Sequence, residues 1–217
     1  MHRSATMFVI AFTVLIVTSS LFTVAFADVS VGVKKGDWIE YQVKVTGDPP
    51  PIYNITWARI DVTGVQGEII SLYVQTRFAN GTLLIENVTL NLATGAIGDD
   101  FIIPIHLNPG DNFYDEYQGN ITITSLQQRT AAGAERTVVS GATAQTSYYW
   151  DRETGFLISA ISSESGYTMH TSTSNTNLWQ PQILGLNSSL FYAIVVTIVV
   201  ALVVAVAFLV WYKKMHS

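Results

Sequence analysis

The sequence predicts a mainly β fold: one antiparallel meander carried between two apolar terminal segments. Three observations predict it. Apolar and polar residues alternate with period two through most of the chain. Gly, Asn, Asp and Pro interrupt that alternation at short intervals, as local turns do. No stretch outside the two ends repeats with the 3.6-residue helical period. A meander of this kind forms a curved sheet, an open barrel or a sandwich, and all three remain open at this level.

The two ends have a different character. Leu190 to Tyr212 reads LFYAIVVTIVVALVVAVAFLVWY and carries no charge. As a helix it is about 35 Å long, enough for a hydrocarbon core of about 30 Å. Lys213 and Lys214 follow it, and a basic flank marks the cytoplasmic side. At the other end, His2 and Arg3 precede an apolar run from Met7 to Val17, and Ala25-Phe26-Ala27 gives a small-x-small cleavage pattern before Asp28. The expected organisation is therefore a signal peptide over 1–27, an extracytoplasmic β domain over 28–176, a juxtamembrane linker over 177–189, a transmembrane helix over 190–212 and a cytoplasmic tail over 213–217. An uncleaved helix from Met7 to Ala27 is the rival for the N-terminus and leaves the topology unchanged, with the domain outside and the C-terminus cytoplasmic. Trp179, Tyr192, Trp211, Tyr212, Lys213 and Lys214 are the expected membrane-interface anchors.

Residues 28–189 contain sixteen acidic and eight basic side chains. A surface of that sign excludes nucleic acid as partner and disfavours docking onto anionic headgroups. The chain has no cysteine, which removes disulfides, a lipidated cysteine anchor, thiolate metal sites and cysteine catalysis.

Ile39, Tyr41, Val43 and Val45 alternate with polar neighbours and form the first expected strand, ended by Asp48-Pro49-Pro50-Pro51. Asn54 to Thr63 resumes, with a slip near Ala58-Arg59 that reads as a bulge, and Gly64 and Gly67 bracket a turn. Ile70, Leu72, Val74 and Phe78 face one way, Asn80-Gly81 turns the chain, and Leu84, Glu86, Val88 and Leu90 return. Phe101 to His106 reads as a short apolar strand broken by Pro104, and Asn108 to Asp111 as a turn. Asn120 to Arg129 reads as one strand, Ala131-Ala132-Gly133 as a turn, and Glu135 to Trp150 as extended with a break at Gly141. Asp151 to Gly155 turns, Gly155 to Glu164 returns, and a threonine-rich strand from Tyr167 to Asn175 closes the domain. The rival for Ser159 to Thr176 is a glycosylated stalk.

Asn54, Asn80, Asn87, Asn120 and Asn187 each begin Asn-x-Ser/Thr and are glycosylation candidates. His106 and His170 lack partners at zinc-ligand spacing, no G-x-S-x-G elbow or phosphate loop occurs, and neither catalytic residues, metal nor cofactor are expected. Asp99, Asp100, Asp111, Asn112, Asp115 and Glu116 form the densest acidic region; a solvated loop is expected there ahead of a calcium site. Trp38, Tyr41, Trp57, Tyr73, Phe78, Tyr148, Tyr149 and Trp150 are expected to fill the core and to pair across strands.

Gly36-Asp37-Trp38-Ile39-Glu40-Tyr41 and Tyr148-Tyr149-Trp150-Asp151-Arg152-Glu153-Thr154-Gly155 resemble segments of uncharacterised archaeal surface proteins. Those carry a signal peptide, one β-rich outer domain and a single C-terminal anchor. The resemblance implies that layout and no particular activity. The second segment is also similar to a hairpin in lipoprotein-carrier-like half-barrels, which hold acyl chains in a curved sheet. The expected function class is a single-pass membrane surface protein with a non-enzymatic binding or structural domain, its partners being the bilayer and a protein or lipid outside. Hydrophobic-ligand binding in a curved sheet is the alternative, and a carbohydrate-active hydrolase follows behind it.

Overall fold

The computed structural model describes residues 29–98 and 100–215. The expected signal segment lies outside these described residues. Nine strands form one antiparallel sheet in the order β4-β3-β2-β1-β11-β10-β9-β8-β7. They are β1 (Trp38–Gly47), β2 (Ile55–Gln66), β3 (Ile69–Phe78), β4 (Leu83–Asn91), β7 (Ser125–Ala131), β8 (Ala134–Ala142), β9 (Thr146–Asp151), β10 (Leu157–Glu164) and β11 (Tyr167–Thr176). Two small hairpins stand apart: β5 (Asn112–Asp115) with β6 (Gly119–Thr122), and β12 (Gln182–Ile183) with β13 (Leu186–Asn187). Consecutive strands are neighbours except where β1 pairs with β11, so the first and last strands of the sheet lie side by side at its middle.

The sheet is strongly rolled. Four strand spacings of about 4.8 Å separate β7 from β11 in a flat sheet, about 19 Å in all. Yet residues of the two strands approach each other. The roll leaves β4 and β7 as unpaired edges, which selects the curved, open form among the expected arrangements.

One face of the sheet is apolar. Ile39, Tyr41, Ile60, Val62, Ile70, Leu72, Leu90, Val139 and Trp150 are buried there. Segment 92–124, the long connection from β4 to β7, covers this face and contributes Leu92, Ile97, Ile102, Ile103, Phe113, Ile121 and Ile123 to the core. Each such side chain gains about 1.5–3 kcal/mol on burial. Trp150 is the pivot: its ring stacks on Tyr148 at 4.9 Å and meets the edge of Phe113 at 5.4 Å. Its Nε1 donates to the Asp100 carbonyl at 2.7 Å, so the aromatic ring brings no unmet donor into the core.

Several expected elements are revised. Phe101 to His106 is a coil that touches the sheet through a single bridge, Ile102 with Phe156. Ile102 and Ile103 are both fully buried, which breaks the alternation a half-buried strand needs. Asn120 to Arg129 is two strands in different sheets, because the chain leaves the β5–β6 hairpin at Thr124 to enter the main sheet. The break in 135–150 falls at 143–145, and Gly141 stays within β8, where an added Cβ would press on Ile121, Thr122 and Trp150. The slip in β2 lies at Thr56 and Thr63 and not at Ala58-Arg59, and Gly64 is still strand. Ser159 to Thr176 is a hairpin near the sheet's centre and no stalk. The acidic region folds as hairpin β5–β6, with Asp100 and Asp115 buried.

The linker is docked. The Trp179 indole is buried, donates to the Ala131 carbonyl at 3.0 Å and lies 4.9 Å from the Arg136 guanidinium. Gln182 N–H donates to the Gly133 carbonyl at 2.7 Å. Helix α1 (Ser188–Met215) then leaves the domain. Asn187 caps it, its Oδ1 accepting the Leu190 N–H at 2.8 Å. At 28 residues it is long and apolar enough to cross a membrane, and none of it is buried.

Candidate functional site

The two segments that carry the family resemblance are structural. In the first, Asp37 is buried and its carboxylate accepts the Lys34 N–H at 2.9 Å and the Lys34 Nζ at 3.0 Å, which fixes the turn into β1. Tyr41 Oη crosses the core and donates to the Leu157 carbonyl at 2.9 Å. In the second, fully buried Asp151 binds Arg136 Nε at 2.7 Å and accepts both the Thr154 N–H and the Thr154 hydroxyl at 2.8 Å. Gly155 sits at φ 74°, and a Cβ there would collide with the Ile103 carbonyl. Arg152 reaches Leu107 and Asn108 and ties down the covering segment. Asp151 and Glu153 are committed to this turn and its surroundings.

The aromatic residues divide between two faces. Tyr41, Tyr148 and Trp150 belong to the core. Trp38, Trp57 and Tyr149 lie on the opposite face, each beneath a guanidinium: Arg59 at 4.2 Å, Arg77 at 5.1 Å and Arg129 at 3.4 Å. The apolar face that would hold a hydrophobic ligand is occupied by the chain's own segment 92–124.

That opposite face contains a cleft of about 200 Å³ where β7 returns toward β11. Arg129, Thr130, Ser159, His170, Ser172 and Thr173 line it, with Ala131 and Ile158. The register places Ser159 directly between Tyr149 on β9 and Ser172 on β11. His170 lies one pair further along, opposite Lys44 of β1. The cleft is mixed in character, with hydroxyls of Thr130, Ser159, Ser172 and Thr173 beside apolar surface from Ala131 and Ile158. It adjoins the linker through Ala131, which carries Trp179.

A second polar group is sealed in the core. Asp115 is fully buried; its Oδ1 accepts the N–H groups of Tyr117 at 2.7 Å and of Gln118, while Oδ2 has no hydrogen bond. Asp100 is also buried, at φ 57°. Burial pushes the Tyr148 phenol well above its ordinary range, and the Asp100 and Asp115 carboxylates push it further. Among the described residues, no three His, Asp or Glu side chains gather as a metal-ligand set.

The sequence-predicted sites fall as follows. Asn54, Asn80, Asn87, Asn120 and Asn187 are all exposed, at the end of a short 3-10 turn, at the β3–β4 turn, on edge strand β4, on β6 and at the helix cap. Tyr192, Trp211, Tyr212, Lys213 and Lys214 lie along α1, while Trp179 packs into the domain. His106 lies 3.4 Å from Glu153 and does not line the cleft. The structure brings none of the five asparagines into the cleft. Arg129, Ser159 and Ser172 were not singled out by sequence. The available signal was a basic residue on an alternating strand together with small hydroxyl residues on the two strands that close the domain.

No protein-family model matches the chain, and no curated protein does. Among solved structures the chain is similar to the siderocalin Ex-FABP, a protein described as functioning through dual ligand specificities. The likeness has 10% identity, covers 63% of this chain and 68% of that one, and has a TM-score of 0.24. A superposition that loose leaves the fold and the ligand of this chain to be read from its own residues.

Proposed function

We propose that this chain is a single-pass membrane surface protein whose outer β domain binds a ligand or partner and is not a catalyst. The observation that carries the reading is α1, which is apolar along its length, unburied by the domain and followed within its last turn by Lys213 and Lys214. A helix of that surface has no stable place in water. The lysine pair supports an orientation with the β domain outside and the C-terminus cytoplasmic. The layout is also the one that the resemblance to archaeal surface proteins implies. The non-catalytic part is supported by where these carboxylates lie: Asp37 and Asp151 brace turns, Asp100 and Asp115 are sealed in the core, and no carboxylate lines the cleft among the described residues.

The full chain is expressed in cells and its membranes are washed with alkaline carbonate. The chain is expected to stay in the membrane, and protease added outside intact cells is expected to remove the β domain. Release by carbonate, or protection of the domain in intact cells, overturns the anchored and outward-facing reading. A hydrolase activity that maps to one carboxylate or serine overturns the non-catalytic part.

A further inference from the structure

We propose that the cleft between β7 and β11 binds a small anionic group: a phosphate, sulfate or carboxylate. The inference rests on the binding-module reading above and names its ligand class.

The charge balance makes the first argument. The domain is acidic, so its few cations have many potential partners. Lys34, Arg59, Arg136 and Arg152 each have a carboxylate within ion-pair distance. Arg129, like Lys35, Lys44 and Arg77, has none among the described residues, and of these four it is the one that lines the cleft. Its guanidinium is held against the Tyr149 ring at 3.4 Å, and its Nε bonds to Gln127 Oε1 at 3.4 Å. The ring and the amide fix the plane of the fork, and the remaining N–H donors stay uncommitted. A fixed planar fork is the geometry that recognises an oxyanion through two parallel hydrogen bonds.

The far wall makes the second argument. Ser159 is 8% exposed, and its hydroxyl has no hydrogen bond to the described protein. The Ser172 hydroxyl and the His170 ring have none either. These groups open onto the cleft, where a bound acceptor takes the place of water. Four side chains from three strands thus present donors to one space. At about 30 Å³ per water, the space of about 200 Å³ holds roughly seven waters, the size of an oxyanion with a few atoms attached.

The group has two possible sources. The cleft adjoins the docked linker through Ala131, so a lipid headgroup is within the reach of the anchored domain, and a free solute reaches it from outside. The test uses the full chain in a non-ionic detergent. Calorimetric titration with inorganic phosphate, sulfate and glucuronate is the solute arm. Nanodiscs of phosphatidylcholine with and without phosphatidylglycerol are the lipid arm. Saturable binding is expected in at least one arm, and the arm in which it appears assigns the source. Arg129→Gln is expected to weaken it about tenfold or more, Arg129→Lys less, and Ser172→Ala about threefold, all with near-unchanged melting. Absence of saturable binding in both arms overturns the proposal. So does binding that survives Arg129→Gln and Ser172→Ala unchanged. Neither result touches the membrane anchoring, which carbonate extraction and protease access report separately.

Discussion

Asp115 puts a carboxylate where solvent does not reach, with one oxygen satisfied by the Tyr117 and Gln118 N–H groups and the other unbonded. An unmet buried acceptor costs about 1–3 kcal/mol, more when it is charged. Asp115→Asn keeps the acceptor for the turn, removes the charge and puts a donor beside the Tyr148 and Asp100 pair. The substitution is expected to raise stability at neutral pH by about 1–2 kcal/mol in a denaturant melt; a loss of similar size would show that the charge is compensated. This residue also marks a limit of the sequence. The acidic run 111–116 reads as a solvated loop because charge density counts residues without regard to direction. On β5, Phe113 and Asp115 share a parity, and burying the ring takes the carboxylate in with it. Gly155 was legible as a turn residue, whereas the reason that nothing larger fits, the Ile103 carbonyl above it, lies 52 residues back in the chain.

Trp179 is spent on the domain, and the linker behaves as an element of the fold and not as a tether. Its indole hydrogen bond to Ala131, the Arg136 contact and the Pro181 approach to Gly133 all land on the β7–β8 turn. Trp179→Ala removes the largest of these contacts. It is expected to cost about 3 kcal/mol and to open segment 177–187 to limited proteolysis while the sheet stays protected. Equal protease resistance in both forms would show that the remaining contacts suffice. Strand existence was largely legible here, since period-two alternation with turn residues located β1 to β4 and β8 to β11. The unread parts are those where alternation fails for a physical reason: Ile102 and Ile103 are both buried although adjacent, and β6 and β7 run on without a turn signal between them. The cleft was illegible for a related reason. Arg129 and Ser172 meet only through the roll of the sheet, and local spacing holds no trace of a roll.

The whole domain has an alkaline limit built into its core. Burial raises the Tyr41 phenol well above its ordinary value, and burial with the Asp100 and Asp115 carboxylates does the same to Tyr148. Both phenols stay protonated in the folded domain and ionise near pH 10 once it unfolds. Between those points the folded state holds more protons. Their contribution to stability is therefore complete below about pH 10 and drains away as pH rises beyond it. Thermal melts from about pH 8 to about pH 11.5 are expected to fall steeply above about pH 10, with a shallower fall in Tyr148→Phe. An identical slope in that variant would assign the alkaline loss to Tyr41 and the exposed groups.

The seam between β1 and β11 has a consequence in time. Trp38 opens the first strand and Thr176 ends its neighbour, and the two are hydrogen-bonded partners through nine register positions. The ribosome makes them at opposite ends of the domain. At about 5–20 residues per second, the first strand waits roughly seven to thirty seconds for the strand that shields its inner flank. During that wait β1 to β4 form a half-sheet with a raw hydrogen-bonding margin at β1, even after segment 92–124 has followed to cover its apolar face. The zipper closes only when Thr176 emerges, about a dozen residues ahead of the helix that begins at Ser188. Maturation of the domain and delivery of its hydrophobic stem thus fall within the same few moments of synthesis.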